Sequence, residues 1–175
     1  MHAGKDFFGM ELIKFNDCLD YFSNKSIFFT SNTLDADIKF VVDNIEYCRK
    51  RFKTSFVLVD HLHHFVHNSS DDRVTEIENF MKEIKKVAIR TGVHIFLIAH
   101  PHSLKKNNDK VTMNDIKGAS AIKQDSDNVI SIWRDKNSDD NILNASFQKI
   151  RYDQGKEGII DFLFDKPSQF YQQLN

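Results

Sequence analysis

Apolar residues recur along this chain at two spacings, and the switches between them mark its elements. Leu12, Phe15, Leu19 and Phe22 return every three or four positions, which predicts an amphipathic helix over 11–22. The run Ile27, Phe28, Phe29, Thr30, bounded by polar turn residues, predicts a short buried strand. Ile38, Val41, Val42, Ile45, Cys48 and Phe52 form a second helical stripe, with Thr33 and Asp35 ahead of it as candidate caps. Phe56, Val57, Leu58 and Val59 make a continuous apolar strand that ends on Asp60. After a polar loop over 67–72, Val74, Ile77, Phe80, Met81, Ile84 and Ala88 mark a long helix. It should stop at Gly92, with Arg90 in its last turn suiting the helix dipole. Residues 93–99 are again apolar and strand-like, ending at His100 and Pro101.

Past a lysine- and asparagine-rich loop over 103–110, the pattern gives a short helical segment over 115–124 and a strand over 128–133. Two more strands follow, 143–151 and 158–164, joined by the turn Asp153, Gln154, Gly155, Lys156, a hairpin signal. Apolar strands alternating with helices predict an α/β chain with a mostly parallel sheet, helices on both faces and right-handed crossovers. The closing hairpin adds an antiparallel edge.

Composition narrows this only slightly. At 175 residues the chain is one domain's worth, and 41% hydrophobic with 28% charged residues is ordinary for a globular protein. Sixteen Phe against one Trp and two Pro predict a phenylalanine-packed interior. A net charge of -1 excludes a uniformly basic nucleic-acid-binding surface but leaves room for a local basic patch. Cys18 and Cys48 fall in predicted helices without metal-ligand spacing, and read as reduced thiols of an intracellular protein. No apolar run reaches the roughly 18 residues of a membrane span, and residues 1–8 carry neither a signal-peptide core nor an Arg-rich presequence.

In a sheet of this kind ligands sit beyond the carboxyl ends of the strands. Three strands deliver polar residues there: Asp60, His100, and the pair Lys149 and Arg151. Singly, each has an ordinary reading as a turn, a loop start or a solvated edge. His61, His63, His64 and His67 cluster after Asp60, yet no matching downstream ligand set accompanies them to make a zinc site, and His63, His64 and His67 read as loop and packing residues.

Taken in order, these stretches resemble the motifs of replicative hexameric DNA helicases. Residues 56–61 (Phe56, Val57, Leu58, Val59, Asp60, His61) resemble a Walker B strand. The strand ending Ile98, Ala99, His100 resembles those helicases' γ-phosphate sensor strand. Residues 115–127, with Gly118, Ala119, Ser120, Ala121 and the ending Gln124, Asp125, Ser126, Asp127, resemble their DNA-contacting motif. Residues 149–158 resemble the final K-x-R-aromatic motif, although Gln154 intervenes before Gly155. The resemblance covers about 27–171 and is closest to Twinkle and the primase-helicases of short-tailed phages, with the DnaB family more distant.

The resemblance implies the C-terminal portion of a RecA-like ATPase domain of a 5′→3′ helicase acting in DNA replication, using ATP and Mg²⁺. Asp60 would hold Mg²⁺ through water, with His61 beside the nucleotide. His100 would register the γ-phosphate. Arg151 would be an arginine finger toward a neighbouring subunit's nucleotide, with Lys149 alongside. Lys117, the Gly118 and Ser120 backbones, and Lys123 would grip single-stranded DNA in the pore of a hexameric or heptameric ring. The compartment would be the mitochondrial matrix in a eukaryote, otherwise a bacterial or phage-infected cytoplasm.

One part of such a motor is absent from this sequence. A P-loop reads G-x-x-x-x-G-K-S/T, but here Gly4 and Lys5 precede Asp6, with no glycine five positions before. The catalytic Glu also has no candidate, since Glu11 lies in a helical stripe. The chain therefore reads as a piece of a working motor, as a catalytically inactive DNA-binding or helicase-interaction module, or as another RecA-fold ATPase. The K-x-R motif argues against the last. Alone, it is expected to have negligible ATPase activity.

Overall fold

The computed structural model describes residues 17, 20, 21, 23, 26–30, 36–66, 73–101, 110–116, 118–134, 141–152 and 155–174. The chain divides into two compact units, Met1–Leu34 and Asp35–Asn175. In the first, residues 17, 20, 21 and 23 are helical, and the rest of the helix predicted over 11–22 lies outside the described residues. The strand predicted over 27–30 does not form. Among the described residues they join no sheet, and Ile27, Phe28 and Phe29 are exposed. An apolar run becomes a strand only where a neighbouring backbone takes its hydrogen bonds.

The second unit begins with α1 (Ile38–Phe52), whose buried residues Val41 and Ile45 come from the predicted stripe. Its cap is Asp37, whose carboxylate accepts a hydrogen bond from the Phe40 amide at 2.8 Å. Thr33 and Asp35, the expected caps, lie outside the described residues. Cys48 of α1 is a free, half-buried thiol, and Cys18 is outside the described residues. Strand β1 (Phe56–Val59), helix α2 (Arg73–Thr91) and strand β2 (His94–Leu97) follow as one βαβ unit. β1 and β2 pair in parallel with Phe56 opposite His94 and Val59 opposite Leu97. Gly92, at φ 67°, ends α2 where its sequence placed the stop, and its amide reaches the Ala88 carbonyl at 2.9 Å.

The core lies along α2. Ile77, Phe80, Met81, Ile84 and Val87 are buried against Val41 and Ile45 of α1, Val59 of β1, and Leu62 and Val66 beyond it. Alternate strand residues Val57, Ile95 and Leu97 join them, while Phe56, Leu58 and Phe96 are exposed. Full burial of side chains such as Phe80 or Leu62 stabilises the fold by about 2–3 kcal/mol each.

Helix α3 (Ala119–Asp125) packs on α2 through Ala121 and Ile122. Beyond it, β3 (Asn128–Trp133), β4 (Ile142–Ile150), β5 (Gly158–Asp165) and β6 (Phe170–Gln173) form an antiparallel meander in that order. The predicted α/β class is the one found, but the described strands form a two-stranded parallel sheet and a separate four-stranded antiparallel one rather than a single mostly parallel sheet. The antiparallel part is larger than the expected hairpin, because β3 joins it and β6 extends it.

Candidate functional site: a strand-edge cluster and a second cluster on the segment 111–127

Asp60 directly follows β1, and its bond to His61 is cis. The Ile98 amide donates to the Val59 carbonyl at 3.0 Å, and the Leu62 amide donates to the Ile98 carbonyl at 2.8 Å. These bonds extend the parallel pairing past both strand ends. Leu62, wholly buried, anchors a short 3-10 turn over Leu62–His64. As a result three imidazoles converge. The His61 and His100 rings lie 4.4 Å apart, and His63 stacks near His100 at 6.4 Å. His61 Nδ1 stands 3.7 Å from Asp60 Oδ1, and the Asp60 side chain is 65% exposed. An open carboxylate beside imidazoles offers anionic and neutral acceptors together with N–H donors at one strand edge. No group of three ligating side chains is arranged to hold a metal ion among the described residues. His67 lies outside them.

The second region is built on the segment leading into α3. The Thr112 amide and hydroxyl both donate to Asp115 Oδ2, at 2.6 and 2.7 Å. Those bonds hold the Asp115 carboxyl below its ordinary range, the hydroxyl contributing most. Gly118 follows at φ 74°, and a Cβ there would stand 2.6 Å from Ile77 Cγ2. The glycine is thus demanded by packing on α2 as well as by its backbone angle. Ser120 is exposed, and exposed Lys123 donates from Nζ to Asn114 Oδ1 at 2.7 Å. Lys117, the expected pore residue, lies outside the described residues.

Strand β4 holds this segment at both ends. Its register against β3 slips between Val129 and Ile130, so Val129 faces Lys149 while Ile130 faces Phe147, and Gln148 is the extra residue of a bulge. The Gln148 amide accepts from the Met113 amide at 2.7 Å and donates to the Val111 carbonyl at 2.8 Å and Ser131 Oγ at 2.9 Å. At the far end, Lys149 Nζ donates to the carbonyls of Lys123 and, at 2.7 Å, Ser126. Arg151 donates to the Gln124 carbonyl at 3.0 Å and to Asp127 Oδ1 at 3.1 Å. Two cations thus sit on the free carbonyls at the C-terminal end of α3, where the helix dipole favours them.

Asp127 ties this arrangement to the core helix. Lys85 of α2 donates to both of its carboxylate oxygens, at 2.7 and 2.5 Å. The Lys85 hydrogen bond, followed by the charges of Lys85, Arg151 and Lys149, holds the Asp127 carboxyl below its ordinary range against partial burial. Burial first, and then the Arg151 charge, pull the Lys149 ammonium below its usual value.

The structure therefore gathers the expected residues into two groups on different sheets. Asp60, His61 and His100 sit at the parallel pair, while Lys149 and Arg151 close on α3 with Ser120 and Lys123. Arg151 is engaged within its own chain. Gln148 and Lys85 were not anticipated, and Asp127 was named only as the end of the 115–127 motif. A break in strand alternation is the one sequence trace of Gln148, and Lys85, 42 residues from Asp127, carries no local signal at all.

A family model for the DnaB-like helicase C-terminal domain matches residues 6–173. The DNA helicase/primase of Enterobacteria phage T3 is 24% identical over 151 residues, which are 82% of this chain and 26% of that protein. A solved DnaB-like replicative helicase, studied for its interactions with primase, superposes with a TM-score of 0.77 at 19% identity. The match covers 94% of this chain and 42% of that one. A further solved ATPase domain superposes with a TM-score of 0.80, again at 19% identity, over 99% of this chain and 64% of its own. The chain thus spans about a quarter of the curated relative's length, and the structural likeness is one of fold. Matched over nearly its whole length, the chain belongs to the DnaB-like helicase C-terminal domain family.

Proposed function

We propose that this chain is the C-terminal portion, 1–175, of a RecA-like ATPase domain in a 5′→3′ DNA helicase of replication, and that it contacts single-stranded DNA within a homo-oligomeric ring. The observation that carries this reading is the placement of Asp60 and His100 beyond the ends of adjacent parallel strands, within a chain matched to the family over 6–173. That edge is where nucleotides bind in open α/β sheets.

The donor set there suits a hydrated Mg²⁺ beside phosphates, since Asp60 is an open carboxylate and the imidazoles of His61 and His100 can donate to phosphate oxygens. Mg²⁺-ATP, when bound, supplies the phosphoryl group whose transfer drives the motor. Asp60 would hold the ion's water shell, His61 would line the nucleotide, and His100 would hydrogen-bond the terminal phosphate. Lys149 and Arg151 would face the nucleotide of an adjoining subunit. Lys117, the Gly118 and Ser120 backbones and Lys123 would grip DNA phosphates without reading bases.

A second reading has an observation of its own. Lys149 and Arg151 commit donors to α3 and Asp127, as a purely structural clamp would. That suits a catalytically inactive module binding DNA or helicase subunits. The motor reading and the DNA-binding form of the inactive module both place DNA on 117–123, so the test is binding of an oligothymidine by the purified chain. Salt-sensitive binding is expected. A P-loop in frame upstream of Met1 selects the motor over the inactive module.

A further inference from the structure

Asp127 is an acidic residue at the end of the segment assigned above to a polyanion, and its placement there needs a reason. It cannot touch DNA phosphates favourably. It does, however, join three elements: Lys85 of α2 reaches both its oxygens, Arg151 after β4 reaches one, and its own backbone carbonyl accepts from the Arg151 amide at 3.0 Å. The same Arg151 holds the Gln124 carbonyl, so one bond to the end of α3 runs through the carboxylate's partner, while Lys149 holds the Ser126 carbonyl beside it. Helix α3 has seven residues, too few to be stable from its own backbone bonds. Its start is fixed by Gly118 on Ile77, which leaves its C-terminal end dependent on this ionic joint.

We propose that Asp127 is a positioning residue for single-stranded DNA binding. It orients Arg151 onto the last turn of α3, and so presents Ser120 and Lys123 to the strand, without contacting DNA itself. Lys85 has a distinct part. Because it bonds both carboxylate oxygens, Arg151 can leave toward another anion without stranding a bare carboxylate. The proposal rests on the DNA-binding reading given above.

Electrostatics and positioning predict opposite signs, which makes the test sharp. Removing a negative charge beside a phosphate-binding surface should by itself tighten binding. Loss of positioning should weaken it. Binding of an oligothymidine is measured by fluorescence anisotropy with the full chain, its Asp127→Asn and Asp127→Glu variants, and Lys85→Met. Hydrogen exchange is followed in parallel over 118–126 and over β4 and β5. We expect Asp127→Asn to weaken binding about fivefold and to speed exchange over 118–126 about tenfold, with β4 and β5 unchanged. Asp127→Glu should recover part of both. Lys85→Met should speed exchange over the same residues, which keeps the test intact if Asp127→Asn loosens the whole fold. Tighter binding by Asp127→Asn, or unaltered exchange over 118–126 in both Asp127→Asn and Lys85→Met, would overturn the proposal. If the unaltered chain ignores the oligothymidine, the DNA-binding reading falls and takes with it Asp127's part in it.

Discussion

At Gly118 a requirement of backbone angle and one of space fall on the same atom. The φ of 74° is strained for any side chain, and a methyl group would meet Ile77 Cγ2 at 2.6 Å with the rest of that side chain close behind. Resemblance alone gave this glycine to DNA, as a residue whose bareness admits a phosphate backbone. Its nearest constraint lies inward, on α2. Gly118→Ala should therefore destabilise the isolated chain by about 2–4 kcal/mol, positive-φ strain and overpacking together. Urea denaturation without DNA measures this, and a loss under about 0.5 kcal/mol would show that α3 shifts freely away from Ile77. Gln148 carries a related lesson. Its three hydrogen bonds depend on a bulge, and a bulge marks a hydrophobicity pattern only as a break in alternation, which names no partner.

Among the elements, those with a clear apolar period were legible: α1, β1, α2 ending at Gly92, and β3 over 128–133. Their burial is local to the element, so the pattern records it. β6 was missed because Phe170, Tyr171, Gln172 and Gln173 are all exposed and show no alternation of apolar and polar residues. What makes it a strand is the turn before it, where Asp165 accepts from the Ser168 amide at 3.1 Å and Gln169 adopts φ 57°. The run over 27–30 erred in the opposite direction, being apolar yet not a strand. The segment 112–127 owes its shape to ionised side chains, and this gives it a pH dependence. Asp115 and Asp127 are both held below the ordinary carboxylate value of 3.8, so their contribution is complete above that value and is lost as pH falls through their lower native values. Amide chemical shifts at Asp115 and Ser126 should therefore move on acidification below about pH 4, ahead of those in β4 and β5. Simultaneous movement of all of them would assign the acid transition to the whole fold instead.

For the whole molecule, the order of elements from α1 to β5 was readable, and so was the family, because Asp60 and His100 follow strands whose apolar runs are unmistakable. The joint between the two halves was not readable, since Lys85, Asp127 and Arg151 meet only after α2, α3 and β4 have packed. Among the described residues no helix is long and apolar enough to cross a membrane. With no P-loop in its sequence, the purified chain should turn over Mg²⁺-ATP at no more than the rate of buffer, with or without DNA. Phosphate release above that background would mean that the phosphates are held by groups other than a P-loop.

The central proposal is that the segment 117–123 binds single-stranded DNA through its phosphates. Fluorescence anisotropy of a labelled oligothymidine, titrated with the chain and with a Lys117→Ala, Lys123→Ala double variant at several salt concentrations, tests it most directly. The account predicts binding that weakens as salt rises, with little preference among base compositions. In the double variant it predicts lower affinity and a salt slope shallower by about 1.4, roughly 0.7 for each single-strand phosphate that a lysine no longer neutralises. Equal affinity and equal slope for the two proteins, or no binding at low salt, would contradict it.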